Sequence, residues 1–174
     1  MDFNLKQSIE ILNSTPRVLK ALLGGIDENW IKHNEGENTW SPYNVVGHLI
    51  NGEYTDWIPR MEIILSNNAA KRFTPFDRFA HLKENREKSI LVLLEEFSAI
   101  RIKNLTILKS KKITEGDLFR TGMHPAFGEV TLKQLLAAWV VHDLGHIAQI
   151  SRVMAKQYKT EVGPWTQYLS VLTK

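Results

Sequence analysis

The stretch from Thr131 to Tyr158 repeats its apolar residues at helical spacing and sets two histidines into the repeat. At about 100° per residue, Leu132, Leu135, Trp139, His142, His146, Ile150 and Val153 fall within roughly 80° of arc, so one stripe carries them all and faces a core. A second stripe, between Ser41 and Leu65, groups Val45, His48, Gly52 and Asp56, with Leu49 on its flank. Imidazoles on the buried faces of two different helices restrict the fold to one that brings those faces together. Histidines four apart on a helix have Cβ atoms roughly 5–6 Å apart, so both rings reach one ion at the usual zinc to nitrogen distance of about 2.0–2.1 Å. The expected site is a metal inside a helical bundle, with His142 and His146 from one helix and His48 from another.

Capping and breaking signals outline the other elements. The first helix begins near Phe3 or Asn4 and runs through Leu5, Ile9 and Leu12; Thr15-Pro16 should kink or restart it, and Gly24-Gly25 should end it. Asp27 to Thr39 reads as a polar connection. Ser41-Pro42 starts the second helix, which Pro59 should kink by removing a donor and crowding the carbonyl four residues earlier. Asn67 to Phe79 reads as a long loop, His81 to Leu108 as the third helix and Lys111 to Val130 as a second irregular segment. Thr131 opens the fourth helix. Beyond Gly163-Pro164, residues Trp165, Tyr168, Leu169 and Leu172 read as a short closing helix. The expected architecture is all-α: a four-helix bundle with long connecting loops gathered at one mouth and a short C-terminal helix, one domain over residues 1–174.

Composition narrows the function. With 43% hydrophobic and 24% charged residues in 174, the chain has the make-up of a globular protein with a substantial core. It has no cysteine, so disulfides, thiolate metal sites and a cysteine nucleophile are excluded, and any thiol chemistry needs a thiol from outside the chain. No apolar run approaches the roughly 18 residues of a membrane span, and Met1 to Leu12 carries charge throughout, so a cytoplasmic protein without membrane attachment is expected. The net charge is only +3, with Lys109, Lys111 and Lys112 as the tight basic cluster, which argues against nucleic-acid binding.

Four stretches resemble the DinB-like superfamily, also called the DinB/YfiT-like metalloenzymes. They are Trp40-Ser41-Pro42 leading to His48-Leu49, Asp56-Trp57-Ile58-Pro59-Arg60, His142-Asp143-Leu144-Gly145-His146-Ile147-Ala148-Gln149, and Val162-Gly163-Pro164-Trp165. The resemblance spans nearly the whole chain, and the histidine pair with its upstream partner is its specific part. It implies a four-helix bundle that holds a divalent metal ion through His48, His142 and His146, with zinc as the first expectation and nickel or iron as alternatives. It also implies a mixed set of activities: transferases or isomerases that use thiols such as bacillithiol or mycothiol, and metal-dependent hydrolases. The leading expectation is a transferase that activates a low-molecular-weight thiol for attack on a small-molecule electrophile. A hydrolase using water on the ion is one alternative, and a non-catalytic metal-binding protein is another. A homodimer is the expected assembly.

Other polar residues near the stripes carry weaker expectations. Gly52, one turn beyond His48, either keeps space open beside the metal or serves tight packing; Trp139 is placed as a pocket residue, and Gln149 can orient an imidazole. Asp143 points about 100° away from His142 and reads as a surface or supporting carboxylate. Glu53 reads as solvated or supporting, and Asp56 as the salt-bridge partner of Arg60, four residues on. His124 lies in a loop that can reach the mouth, whereas His33 and His81 carry no functional signal. No general acid or base can be named from the sequence.

Overall fold

The computed structural model describes residues 1–85 and 87–173. Its helices are α1 (Leu5–Leu23), α2 (Glu28–Lys32), α3 (Pro42–Thr55), α4 (Trp57–Leu65), α5 (His81–Glu84), α6 (Ile90–Ser110) and α7 (Leu132–Lys156). A two-stranded hairpin, β1 (Thr121–His124) paired antiparallel with β2 (Gly128–Thr131), precedes α7. The bundle consists of α1, the α3–α4 pair, α6 and α7. Both α6 and α7 pack on α1 and on α3, which places α1 and α3 across the bundle from one another.

Local chemistry starts these helices where side-chain caps stand. Asn4, Ser41, Ser89 and Thr131 each accept a hydrogen bond from the backbone N–H three residues on, and Ser41 with Asn44 and Thr131 with Gln134 close reciprocal capping boxes. Pro59 breaks the second long helix instead of merely kinking it: the chain leaves regular helix at Asp56 (φ −113°, ψ −72°), just before the proline ring would crowd the carbonyl of Thr55. The expected third helix divides into α5 and α6, because Ser89 caps α6 afresh. The Lys111 to Val130 segment is not wholly irregular, since it forms the hairpin. Gly122 lets β1 close on α4: a Cβ there would lie 2.6 Å from the Phe73 ring and 2.9 Å from Ile64. The closing segment forms two 3₁₀ turns, Gly163–Tyr168 and Ser170–Leu172, in which Leu172 is buried while Trp165 and Tyr168 stay exposed.

Helix α1 runs through Pro16 without restarting. A proline lacks the N–H that would bond the carbonyl four residues back, so the Leu12 carbonyl has no such donor. Arg101 of α6 supplies one, donating from Nη1 to Leu12 O at 2.7 Å. A local irregularity in α1 thereby becomes a contact between helices.

The apolar interior falls into two clusters. One joins Leu12, Trp57, Met61, Phe73, Leu105, Leu132, Leu136 and Trp139, and the other joins Leu19, Val45, Leu49, Leu93, Phe97 and Ile150. Buried polar residues Glu53, Arg101, Asn104 and Asp143 join the helices in between.

Candidate metal centre

His48 projects from the middle of α3, and His142 and His146 project one turn apart from α7. Their Nε2 atoms converge: His48 to His142 is 3.1 Å, and His146 to His142 is 3.1 Å. Nitrogens bound at about 2.0–2.1 Å around one tetrahedral ion stand roughly 3.3–3.4 Å apart, so these two separations are a few tenths of an ångström from coordinating ones, and all three ligand atoms lie within 4.8 Å of one another. Among the described residues it is the cluster of ligand-type side chains that could hold a metal ion.

The protonation states fit that role. Burial, then the imidazoles of His146 and His142, pulls His48 down to about 2. Burial, then His146 and Arg101, pulls His142 down to about 3, and burial lowers His146 as well. Three neutral rings with Nε2 atoms directed at one another cannot satisfy all their lone pairs by sharing protons, whereas a cation satisfies them together. Gln149 fixes one tautomer: its Oε1 accepts from His146 Nδ1 at 2.8 Å, which leaves the His146 Nε2 lone pair free. The Nδ1 atoms of His48 and His142 are buried without a hydrogen-bond partner among the described residues, so packing orients those rings. Trp40 and Phe76 hold the His48 ring, with centroids 4.7 and 5.5 Å away, and Trp57 meets the His142 ring edge-on at 5.1 Å. Gly52 contributes here through packing, because a Cβ would stand 3.2 Å from Trp57 Nε1.

The three rings form the floor of a cleft of about 610 Å³. Both long connections reach it, as expected: Pro75, Phe76 and Arg78 come from the segment before α5, and His124, Pro125, Ala126 and Phe127 come from the hairpin turn. His124 Nδ1 accepts from the backbone N–H of Ala126 and Phe127 at 3.1 and 3.2 Å, which leaves Nε2 as the donor. Asp56 and Arg60 also line the cleft, with Arg60 Nε 2.5 Å from Asp56 Oδ1, a charge contact without hydrogen-bond alignment. Burial raises the Asp56 carboxyl to about 6 against the opposing pull of Arg60.

Three sequence expectations change here. Asp143 is not at the surface; it is 0% exposed and accepts from both terminal nitrogens of Arg101, at 2.6 and 3.0 Å. Glu53 is 1% exposed, takes Arg101 Nη2 at 2.8 Å, Trp139 Nε1 at 3.0 Å and Asn104 Nδ2 at 2.9 Å, and is raised by burial. Trp139 therefore lies in the core instead of lining the cleft, stacked on Trp57 at 5.7 Å. Sequence reasoning also missed Arg101 as the hub of this layer; its position on the apolar face of α6 was the available signal.

The DinB superfamily model matches residues 11–150. The chain belongs to the DinB superfamily. Among solved structures it is similar to YfiT from Bacillus subtilis, described as a probable metal-dependent hydrolase with an unusual four-helix bundle topology, at 20% identity and a TM-score of 0.71 over 88% of this chain and 86% of YfiT. It is also similar to TT2238, described as a four-helix bundle protein, at 20% identity and a TM-score of 0.53 over 85% of this chain and 98% of that one. No curated protein matches the chain. The four-helix bundle and the superfamily are thus shown for this DinB-superfamily protein, along with a three-histidine cluster suited to a divalent ion. Among the described residues, no helix is long and apolar enough to cross a membrane.

Proposed function

We propose that this DinB-superfamily protein is a metal-dependent transferase, in which His48, His142 and His146 hold a divalent ion that activates a small thiol for attack on an electrophile. When bound, such an ion supplies Lewis acidity that ionises a coordinating thiol or lowers the pKa of water to about 7. The observation that carries the reading is the convergence of three neutral Nε2 atoms at the floor of an open cleft, a three-ligand layout that leaves room for a reactant. The buried carboxylates Asp143 and Glu53 favour a thiol over water, because neither faces the cluster. Asp143, in the place where a zinc peptidase has its general base, turns away from the histidines onto Arg101, and Glu53 does the same. A thiol acidic enough to ionise at the ion needs no such base. The chain also contributes no cysteine to compete with it.

One observation favours a second reading, a hydrolase. Asp56 lines the same cleft, and a carboxyl raised to about 6 is suited to carry a proton to or from water. The test uses the cobalt-loaded protein. A visible spectrum that changes with a low-molecular-weight thiol, together with thiol-dependent conversion of an electrophile panel, is the expected result. Ester or amide cleavage without added thiol, with a spectrum indifferent to thiols, would replace the transferase by the hydrolase. Homodimer assembly belongs to the same proposal, supported by exposed Val141 and Leu144 on the outer face of α7, and sedimentation velocity tests it.

A further inference from the structure

The cleft holds two arginines in different circumstances. Arg60 is committed to Asp56. Arg78 has no ion pair and no side-chain hydrogen bond among the described residues; its guanidinium lies over Trp40 at 5.4 Å and over Phe79 at 5.3 Å. Aromatic faces hold a guanidinium in place while leaving its in-plane N–H donors free. The backbone beside it is pinned as well. Asn51, three residues after His48 on α3, donates from Nδ2 to Asp77 O at 2.9 Å, and Asp77 Oδ1 accepts the Phe79 N–H at 2.9 Å. The same Trp40 ring that carries Arg78 packs on His48, so one indole separates the cation from the histidine cluster.

We infer that Arg78 is an anion-binding residue of the cleft, and that the reactant presented to the three histidines carries a carboxylate. Free, coplanar guanidinium donors match a carboxylate in two parallel hydrogen bonds, which a lysine ammonium does not reproduce. His124 Nε2–H, brought to the same cleft by the hairpin, is a second donor with a fixed tautomer. The apolar walls provided by Phe76, Pro125 and Phe127 accommodate the carbon skeleton between the two ends. This assignment of substrate class rests on the metal-centre reading above, and its test separates the two.

Cobalt-loaded wild-type, Arg78→Met and Arg78→Lys proteins are titrated with mercapto-carboxylates from mercaptoacetate to mercaptohexanoate, each beside the mercapto-alcohol of the same length. The wild type should bind the acid about ten-fold more tightly than the alcohol at the best-fitting length. Arg78→Met should lose that preference with alcohol affinity unchanged, and Arg78→Lys should keep only part of it. Equal affinities for acids and alcohols at every length, or a preference that survives in Arg78→Met, would overturn the subsite while leaving thiol binding intact. If no thiol alters the cobalt spectrum, the thiol reading fails, and calorimetry with butyrate and hexanoate decides the subsite. Heat of binding abolished by Arg78→Met then supports it, and absent or unaltered heat overturns it.

Discussion

His142 and Asp143 are adjacent on α7, yet they belong to opposite kinds of polar cluster. Asp143 joins Glu53, Asn104 and Trp139 around Arg101, where a protein cation answers two carboxylates and the donors are placed within 2.6–3.0 Å. His142 joins His48 and His146, where three neutral rings bring acceptors together and none of the described residues provides a cation at their centre. Both clusters draw on α3 and α7. The first balances its charges within the fold, with the Arg101 Nε–H left without a partner among the described residues, and ties α1, α3, α6 and α7 to one another, whereas the second becomes complete on binding a positive ion. Charges answered by the protein's own groups mark a structural polar layer, and unanswered acceptors in a cleft mark a site.

The sharpest way to break this comparison is Arg101→Met. It leaves Glu53 and Asp143 buried without their cation, and removing one partner of a buried ionic cluster costs about 3–5 kcal/mol. Urea unfolding measures the loss; a change below about 1 kcal/mol would show that the layer does not hold the bundle together.

His142→Ala approaches from the other side. Elemental analysis should fall from about one metal per chain to near none, because two imidazoles remain. The metal-free form should lose less than Arg101→Met does, since among the described residues the ring makes no hydrogen bond outside the histidine cluster and forfeits only its packing on Trp57. Equal metal in both proteins would place the ion elsewhere.

Acid titration of the metal-free protein should give a smaller effect. Burial holds His48 near 2 and His142 near 3 in the folded chain, against about 6.5 when unfolded. The unfolded state therefore binds more protons across roughly pH 3 to 6.5, so these groups make stability rise with pH through that window and have no effect above it. Asp56, raised by burial to about 6, acts in reverse between roughly pH 4 and 6, because there the folded state holds the extra proton. Two imidazoles outweigh one carboxyl, so Tm should fall with acid, and a His48→Gln/His142→Gln double variant should flatten that fall. An unaltered slope in the double variant would locate acid sensitivity outside the cluster.

Gln149→Leu should give the smallest change, weakening metal affinity by about ten-fold through loss of the His146 tautomer anchor while urea stability stays unchanged. Competition with a chelator measures it, and unchanged affinity would reduce Gln149 to a boundary residue.

The parts of the fold legible in the sequence were those with local causes. Ser41 and Thr131 start helices because a hydroxyl satisfies a backbone donor three residues away, and no distant partner is required. The two histidine stripes were legible because helical periodicity alone sets which residues share a face. The hairpin was not, since each strand has four residues and shows no alternation long enough to distinguish it from a loop. Asp143 and Glu53 were misplaced because an angular projection assumes one buried face, whereas α3 and α7 are each covered by more than one neighbour.

The sequence by itself determined the four long helical segments, the caps at Ser41 and Thr131 and the set of histidines able to meet, because each follows from spacing or from a neighbour within one turn; it did not show the short helix α2 inside the expected Asp27 to Thr39 connection. Only the tertiary structure decided that Arg101, 42 residues before Asp143 and 48 after Glu53, would bind both carboxylates and the carbonyl left without a donor by Pro16. It likewise decided that Arg78 would lie over Trp40 beside His48. Charges are unaffordable in an apolar interior unless a partner arrives with them, and that partner is brought by packing between helices rather than by any local pattern in the chain.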